Sequence, residues 1–151
     1  MNQNRFIDDE EYLEGFSDEF LVVCPRCSKR AEVRIDLTRQ DTSSGWRAPR
    51  KVVCPHCAYH KVWEGNSISY GDSYDWYFHL PLWLQIPCCG KILWAYNKNH
   101  LAFLEDYVGA VLRERHPNKN KTLASRLPTW MKEAKNRDEV LKCIRKLHEK
   151  V

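Results

Sequence analysis

The sequence lacks the segments that mark membrane and exported proteins. None of its 151 residues lies in a stretch approaching the roughly 18 uninterrupted apolar residues that a membrane-spanning helix needs. The segment from Met1 to Asp9 is polar and acidic and has no apolar run, so we expect no signal peptide. These absences predict a cytoplasmic protein that does not bind membranes.

The familiar catalytic motifs are missing as well. The sequence has no glycine-rich phosphate loop, no Gly-X-Ser-X-Gly turn and no His-Glu-X-X-His helix. No feature therefore indicates an enzyme or a small-molecule substrate. Cys88 and Cys89 are the remaining candidates for thiol catalysis, but Lys91 is the only base near them in sequence. Because adjacent cysteines are also poor partners for one ion, we interpret Pro87-Cys88-Cys89-Gly90 as a turn.

The charged residues are unevenly distributed along the chain. Residues 1–20 hold seven acids and one base, a net charge of −6, whereas residues 112–151 hold twelve bases and five acids, a net charge of +7. The residues between them have a net charge of +3. The chain thus has an acidic arm, a middle region and a basic tail with different electrostatic properties.

The most specific pattern in the sequence is a repeated Cys-Pro-X-Cys unit, which we call a knuckle. Two knuckles occur, with 26 residues between them, and each presents two thiolates across a tight turn. In a chain without an export signal, such pairs indicate metal binding in a reducing compartment rather than disulfides. We predict one structural Zn²⁺, and its ligands are Cys24, Cys27, Cys54 and Cys57. Iron is the alternative ion, since the same four-thiolate geometry can hold it.

Strand-like segments flank both knuckles. After the first knuckle, Ala31, Val33, Ile35 and Leu37 alternate with polar residues, which is the pattern of a half-buried strand. Short apolar segments also precede each knuckle and follow the second. This order of strands and knuckles predicts a zinc ribbon over residues 20–64.

The two knuckles resemble those of TFIIB-type zinc ribbons and, more distantly, those of rubredoxin. The resemblance covers about residues 20–64 and implies that the four cysteines are the metal ligands. The glycine that usually follows the second cysteine of a knuckle is replaced by Ser28 and Ala58. From Trp76 onward the chain resembles small bacterial proteins that carry such a ribbon before a Cys-Cys-Gly hairpin and a helical tail, which implies no particular activity. Zinc ribbons bind nucleic acids, dock proteins or simply stabilise a fold.

The rest of the chain predicts a hairpin and then helices. Over residues 65–96, a polar connection leads to two apolar, aromatic-rich runs on either side of the Pro-Cys-Cys-Gly turn, which is typical of a β-hairpin. Over residues 97–151 the apolar period becomes helical, with a first helix ending near His116. A capping box at Asn136 predicts the start of a last helix, whose apolar stripe is Val140, Ile144 and Leu147. We therefore predict an α+β fold: an acidic arm over residues 1–19, a zinc ribbon, an aromatic-rich hairpin and two to three basic C-terminal helices.

Two groups of residues, almost all of them basic, are candidate contacts for nucleic acid. In the ribbon loop, an aromatic residue that lies among cationic residues can stack on a nucleobase while the cations bind phosphates. The loop candidates are Arg39, Trp46, Arg47, Arg50 and Lys51, and the tail candidates are Lys142, Arg145 and Lys146.

The leading hypothesis is a non-catalytic zinc-ribbon protein that binds DNA, RNA or an assembly acting on them. The alternative is a protein–protein adaptor, in which the ribbon and the aromatic hairpin dock a partner and the charges provide solubility. A thiol-dependent enzyme that uses Cys88 or Cys89 is the third class.

Overall fold

A computed structural model describes residues 5–7, 16–38, 47–65, 68–69, 72–110, 112–114 and 127–151. Within these ranges the fold is mixed α/β. Its strands are β1 (Arg5–Ile7), β2 (Glu19–Val23), β3 (Arg30–Ile35), β4 (Arg50–Val53), β5 (His60–Val62), β6 (Leu84–Cys88), β7 (Lys91–Ala95) and β8 (Leu112–Glu114). Its helices are α1 (Lys98–Gly109), α2 (Thr129–Lys132) and α3 (Arg137–His148), with a 3₁₀ turn at Ala134–Asn136. No helix among the described residues is long and apolar enough to cross a membrane.

The largest sheet has the antiparallel order β2-β3-β4-β5. Its strands alternate as the sequence predicts, so that Ala31 and Val33 of β3 point into the core and are fully buried. Leu37 does not continue this pattern, because β3 ends at Ile35 and the Leu37 side chain is 88% exposed in the following turn. The knuckles connect β2 to β3 and β4 to β5, and both therefore lie at the same end of the sheet.

The predicted hairpin is formed by β6 and β7, but it begins later than the apolar run suggests. Trp76 and the two residues after it form a turn rather than a strand, and β6 begins at Leu84. The reversal itself is made by Cys89 (φ 52°) and Gly90 (φ 74°), two successive left-handed residues as in a type I′ turn. Cys88 belongs to β6, where it pairs with Lys91.

The hairpin region joins the sheet through the free edge of β2. Val22 forms a bridge with Leu82, and the amides of Leu21 and Trp83 donate to the carbonyls of Tyr96 and Leu21, each at 2.8 Å. Aromatic side chains fill the space beneath this junction. The ring of Phe20 lies 4.8 Å from that of Tyr96, and rings in such tilted contacts add to the stability gained by burial alone. One hydrophobic core thus spans the sheet, the hairpin and the helices.

Helix α3 covers the hairpin with the stripe that the sequence predicts. Val140, Ile144 and Leu147 are all fully buried, and Cys143 lies beside them. The predicted capping box at Asn136 is absent, because its side-chain amide donates instead to the carbonyl of Trp130 at 2.9 Å.

Helix α1 is shorter than its apolar pattern predicts. It ends at Gly109, and Leu112 lies in β8, which pairs in parallel with β1. Pairing with a segment more than 100 residues away overrides the local helical pattern here. Phe16 and Ser17 are buried, so the folded core includes residues that the charge pattern groups with the acidic arm.

Candidate metal centre

The two knuckles have the same backbone hydrogen bonds. In the first, the amide of Cys24 donates to the carbonyl of Lys29 at 2.8 Å, and the amide of Ser28 donates back to Cys24 at 2.9 Å. In the second, the amide of Cys54 donates to Tyr59 at 2.8 Å and the amide of Ala58 donates to Cys54 at 3.0 Å. These paired bonds close each loop at its base and hold its two cysteines on one side.

Each knuckle also contains one left-handed residue directly after its second cysteine. Ser28 has φ 63° and Ala58 has φ 64°, a backbone conformation that glycine adopts more readily than other residues. A left-handed conformation costs a residue with a Cβ atom roughly 1–2 kcal/mol. The same strained conformation at two equivalent positions shows that both loops have the same defined shape.

The four sulfur atoms lie at distances that suit a tetrahedral ion. Cys24 Sγ is 3.6 Å from Cys57 Sγ, and Cys27 Sγ is 3.6 Å from Cys54 Sγ. All four sulfurs lie within 4.8 Å of one another. A Zn–S distance of about 2.3 Å places the ligands of a regular tetrahedron about 3.8 Å apart. The cluster is therefore compatible with structural zinc.

The thiols of the cluster compete for protons. For Cys24, burial raises the pKa, but the backbone amides of Cys27 and Arg26, together with the thiols of Cys57 and Cys27, outweigh it and bring the pKa down to about 7. For Cys57, the amide of Tyr59 acts to lower the pKa, but burial and the three neighbouring thiols outweigh it and raise the pKa to about 12. Four sulfurs this close do not all ionise without a compensating cation, and a divalent ion supplies that charge.

The donor set limits which ion fits and what it could do. Four soft thiolates exclude the hard ions Mg²⁺ and Ca²⁺, which take oxygen ligands, and favour zinc or iron. Four protein ligands also complete the coordination of tetrahedral zinc, so no position is left for a water or a substrate. The arrangement suits a structural ion and does not suit hydrolytic metal chemistry.

The remaining cysteines form a second group, which the sequence did not predict. The Sγ atoms of Cys88 and Cys89 are 3.9 Å apart, and α3 brings Cys143 beside them, where its thiol donates to the carbonyl of Pro87 at 3.8 Å. Burial, followed by the neighbouring thiols, raises the pKa of Cys88. Burial raises the pKa of Cys89 too. These thiols are therefore poorly ionised at neutral pH, the opposite of what a nucleophilic cysteine needs.

The loop candidates for nucleic-acid contact have different environments. Arg39 and Trp46 lie outside the described residues. Arg47 is exposed, while Lys51 is about one third exposed and lies 3.8 Å from a carboxylate oxygen of Asp36. Arg50 must be removed from the set, because its side chain is fully buried and points into the core. A guanidinium in that position is inaccessible to a phosphate.

The three tail candidates lie together on the outer face of α3. Lys142, Arg145 and Lys146 are all exposed, on the face opposite the buried stripe. Two of them are in the last turn of the helix, where positive charge also interacts favourably with the helix dipole. The structure therefore leaves this group accessible.

One buried carboxylate was not recognised from the sequence. Asp75, which precedes Trp76 in an apparently polar loop, is fully buried and accepts backbone hydrogen bonds from Tyr77, Phe78 and Leu80 at 2.9, 2.8 and 2.6 Å. Burial raises its pKa, although the three amides act in the opposite direction. Its role is to close the turn that leads into the hairpin, and the only sequence signal was the preference of Asp for such turns.

Comparisons with protein-family models, with curated proteins and with solved structures found no match. The functional assignment therefore depends on the geometry of the cysteine cluster and on the charges that surround it.

Proposed function

We propose that this protein is a non-catalytic, zinc-ribbon nucleic-acid-binding protein with one structural zinc ion. The observation that carries the proposal is that four sulfurs from two knuckles of the same backbone geometry lie within 4.8 Å of one another. Buried cysteines that merely packed as small hydrophobes would not require the same strained loop at both positions. The strand order on either side of the knuckles is the order expected of a zinc ribbon.

Zinc would act by connecting the two halves of the sheet at their common end. Residues 24–27 and 54–57 belong to different β-turns, and no disulfide joins them. Structural zinc in small domains contributes an apparent binding free energy of about 10–16 kcal/mol, which becomes folding free energy when the apoprotein has no preformed site. Removing the ion should therefore unfold at least this end of the sheet.

The nucleic-acid part of the proposal is supported by the exposed bases. The outer face of α3 presents Lys142, Arg145 and Lys146, and the chain from residue 112 onward has a net charge of +7. Positive charge clustered on one surface is what a phosphate backbone requires, and each phosphate contact adds to the salt dependence of binding.

An adaptor function is the second candidate, and one observation favours it. β5 is the last strand of the sheet, none of the other described strands pairs with its outer edge, and all three of its residues are exposed. An open edge of this kind can accept an extended segment of another protein by strand addition. Its shortness and the exposed Lys61 weaken this reading, since short charged edges are a common protection against such pairing.

Two experiments, done one after the other, test the proposal: a metal analysis and then a binding assay across a salt series. Protein purified without added metal should contain about one equivalent of zinc, and Cys57→Ser should lose it while Cys143→Ser keeps it. Zinc-loaded protein should then bind DNA or RNA with an affinity that falls steeply as salt increases. Less than half an equivalent of zinc, with no iron in its place, would refute the metal assignment. Zinc-loaded protein without salt-dependent binding would leave the adaptor as the better reading.

A further inference from the structure

The surface around the cysteine cluster has a charge pattern that differs from the rest of the sheet. We call it the metal end and define it as residues 24–31 and 54–61, which comprise the two knuckles and the first residues of β3 and β5. It contains no aspartate or glutamate, and it contains four permanent cations and two histidines. The cations are Arg26, Lys29, Arg30 and Lys61.

Three of these cations lie close together in one short segment, and the fourth lies beyond the second knuckle. The sulfur contacts bring the tip of the first knuckle, with Arg26, against the second knuckle. Lys29 and Arg30 follow the first knuckle directly, and Lys61 follows the second, where β5 leaves the metal end. Three of the four side chains are exposed and that of Arg30 is half-buried. Arg26, Lys29 and Arg30 therefore form one accessible group, whereas Lys61 pairs with Val52 and so projects from the face of the sheet opposite to Arg30.

The exposed basic residues elsewhere on the sheet already lie close to acidic residues. Arg34 forms an ion pair with Glu32 on the same strand, and Lys51 lies 3.8 Å from Asp36. Within the described residues, the metal end is thus the part of the sheet where several bases lie together without an acid among them. Charges arranged in this way indicate an external anion rather than an internal partner.

The charge of the metal site itself does not cancel this surface. A zinc ion with four thiolates has two excess negative charges, against four permanent positive charges around it. The backbone amides of Arg26 and Cys27 also point at the Cys24 sulfur, at 3.4 and 3.5 Å, and absorb part of its negative charge. The metal end therefore remains positive when the site is filled.

We propose that the metal end is the surface that contacts the phosphodiester backbone of the nucleic acid, with Arg26 and Lys29 making the central contacts. This inference rests on the proposed function and names its binding surface. Three cations in and directly after the first knuckle fit a polyanion that crosses the end of the ribbon, because a single small anion would need only one or two of them. The metal then has a second role, since it holds the first knuckle, with Arg26, in a fixed position against the second.

A pair of charge-neutralising variants tests the inference. Arg26→Gln with Lys29→Gln removes two charges from the metal end, and Lys91→Gln with Lys98→Gln removes two exposed charges from the hairpin and the start of α1 as a matched control. Both proteins are compared with the parent after zinc content and melting temperature are shown to be equal. The probes are a labelled single-stranded oligonucleotide, the corresponding duplex and a polyglutamate peptide, each titrated across a salt series.

The expected result is a specific change in the salt slope. The metal-end variant should bind the oligonucleotide more weakly and lower the slope of log K against log salt by about 2, one unit for each lost phosphate contact. The control should keep the parent slope, and the single-stranded and duplex probes show which form of the backbone is preferred. Equal slopes in both variants, with parental binding intact, would overturn the inference but leave the proposed function standing. A parent that binds neither nucleic acid, or binds polyglutamate equally well, would overturn the proposed function itself.

Discussion

The guanidinium carbon of Arg50 lies 4.7 Å from the centre of the Tyr77 ring, inside the core beneath the sheet. The same guanidinium donates a hydrogen bond to the carbonyl of Ser17. Burial lowers the pKa of Arg50 and raises that of Tyr77 to about 12, so the pair remains a cation over a neutral ring at physiological pH. A residue that the sequence assigned to a phosphate-binding loop thus connects the sheet to the hairpin region and to the segment before β2.

Replacing Arg50 should therefore reduce stability and not binding. Arg50→Met keeps the apolar stem but removes the cation and leaves the Ser17 carbonyl without that donor, and we expect a loss of about 2 kcal/mol in the free energy of unfolding. Arg47→Met, at an exposed position nearby, should change it by less than about 0.5 kcal/mol. Urea unfolding of both zinc-loaded proteins gives the comparison. An Arg50→Met protein of parental stability that has lost nucleic-acid affinity would contradict the structure.

The sequence predicted those parts of the fold that depend on local patterns. The alternation after the first knuckle identified β3, and the stripe containing Val140 and Ile144 identified α3, because in both elements the buried side is set by the period of the chain itself. The cysteine spacing predicted the shape of each knuckle, because ligand type and loop shape are encoded within four residues. These predictions required no knowledge of distant contacts.

The features that the sequence did not predict depend on contacts between distant segments. Leu112 fits a helical stripe, but it forms a strand because residues 5–7 pair with it. Cys143 lies near Pro87 and Cys88 because α3 lies across β6, and no local pattern predicts that contact. Arg50 sits in a polar stretch of sequence, yet the register of β3 and β4 places it opposite Ile35 on the core side of the sheet.

The left-handed residues of the knuckles give a prediction about stability. Ala58 has φ 64°, so Ala58→Gly should relieve strain and raise the free energy of unfolding by about 1 kcal/mol. Ala102 is an exposed residue within α1, and the same substitution there should lower it by about 1 kcal/mol. Thermal unfolding of the zinc-loaded proteins measures both changes. Destabilisation of similar size at both positions would mean that residue 58 is not left-handed in solution.

The second thiol group gives a prediction about reactivity. Because burial raises the pKa of Cys88 and of Cys89, both should react with iodoacetamide at pH 7.5 more slowly than an unstructured cysteine peptide. Mass spectrometry of digests, taken over time from the folded zinc-loaded protein, locates the modified residues. Cys88→Ser and Cys89→Ser should retain one equivalent of zinc. Rapid alkylation of either residue in the folded protein would instead support the thiol-enzyme class.

His100 is the buried group whose titration should be most visible in the pH dependence of stability. It is 2% exposed, its ring lies 5.0 Å from that of Phe16, and its Nδ1 accepts the amide hydrogen of Tyr96 at 3.0 Å. Burial lowers its pKa from 6.5 to about 3. The folded protein therefore keeps His100 neutral over a pH range in which the unfolded chain would protonate it.

This difference sets the sign of the effect. Below pH 6.5 the unfolded state binds a proton at His100 that the folded state does not, so stability must fall as the pH decreases toward 3. When the pH falls from 7.5 to 5.5, this one group should lower the free energy of unfolding by about 1.4 kcal/mol. Asn is the appropriate replacement, because its side-chain oxygen can accept the Tyr96 amide hydrogen and it does not titrate.

Urea unfolding of the parent and of His100→Asn at pH 7.5 and pH 5.5 tests this prediction. Acid also weakens thiolate–metal bonds, and that contribution is common to both proteins, so the quantity to compare is the difference between their two pH responses. The parent should lose about 1.4 kcal/mol more than the variant on acidification. Equal losses in the two proteins would mean that His100 is accessible to protons in the folded state. That result is incompatible with the burial of His100 in the first turn of α1, against the aromatic core.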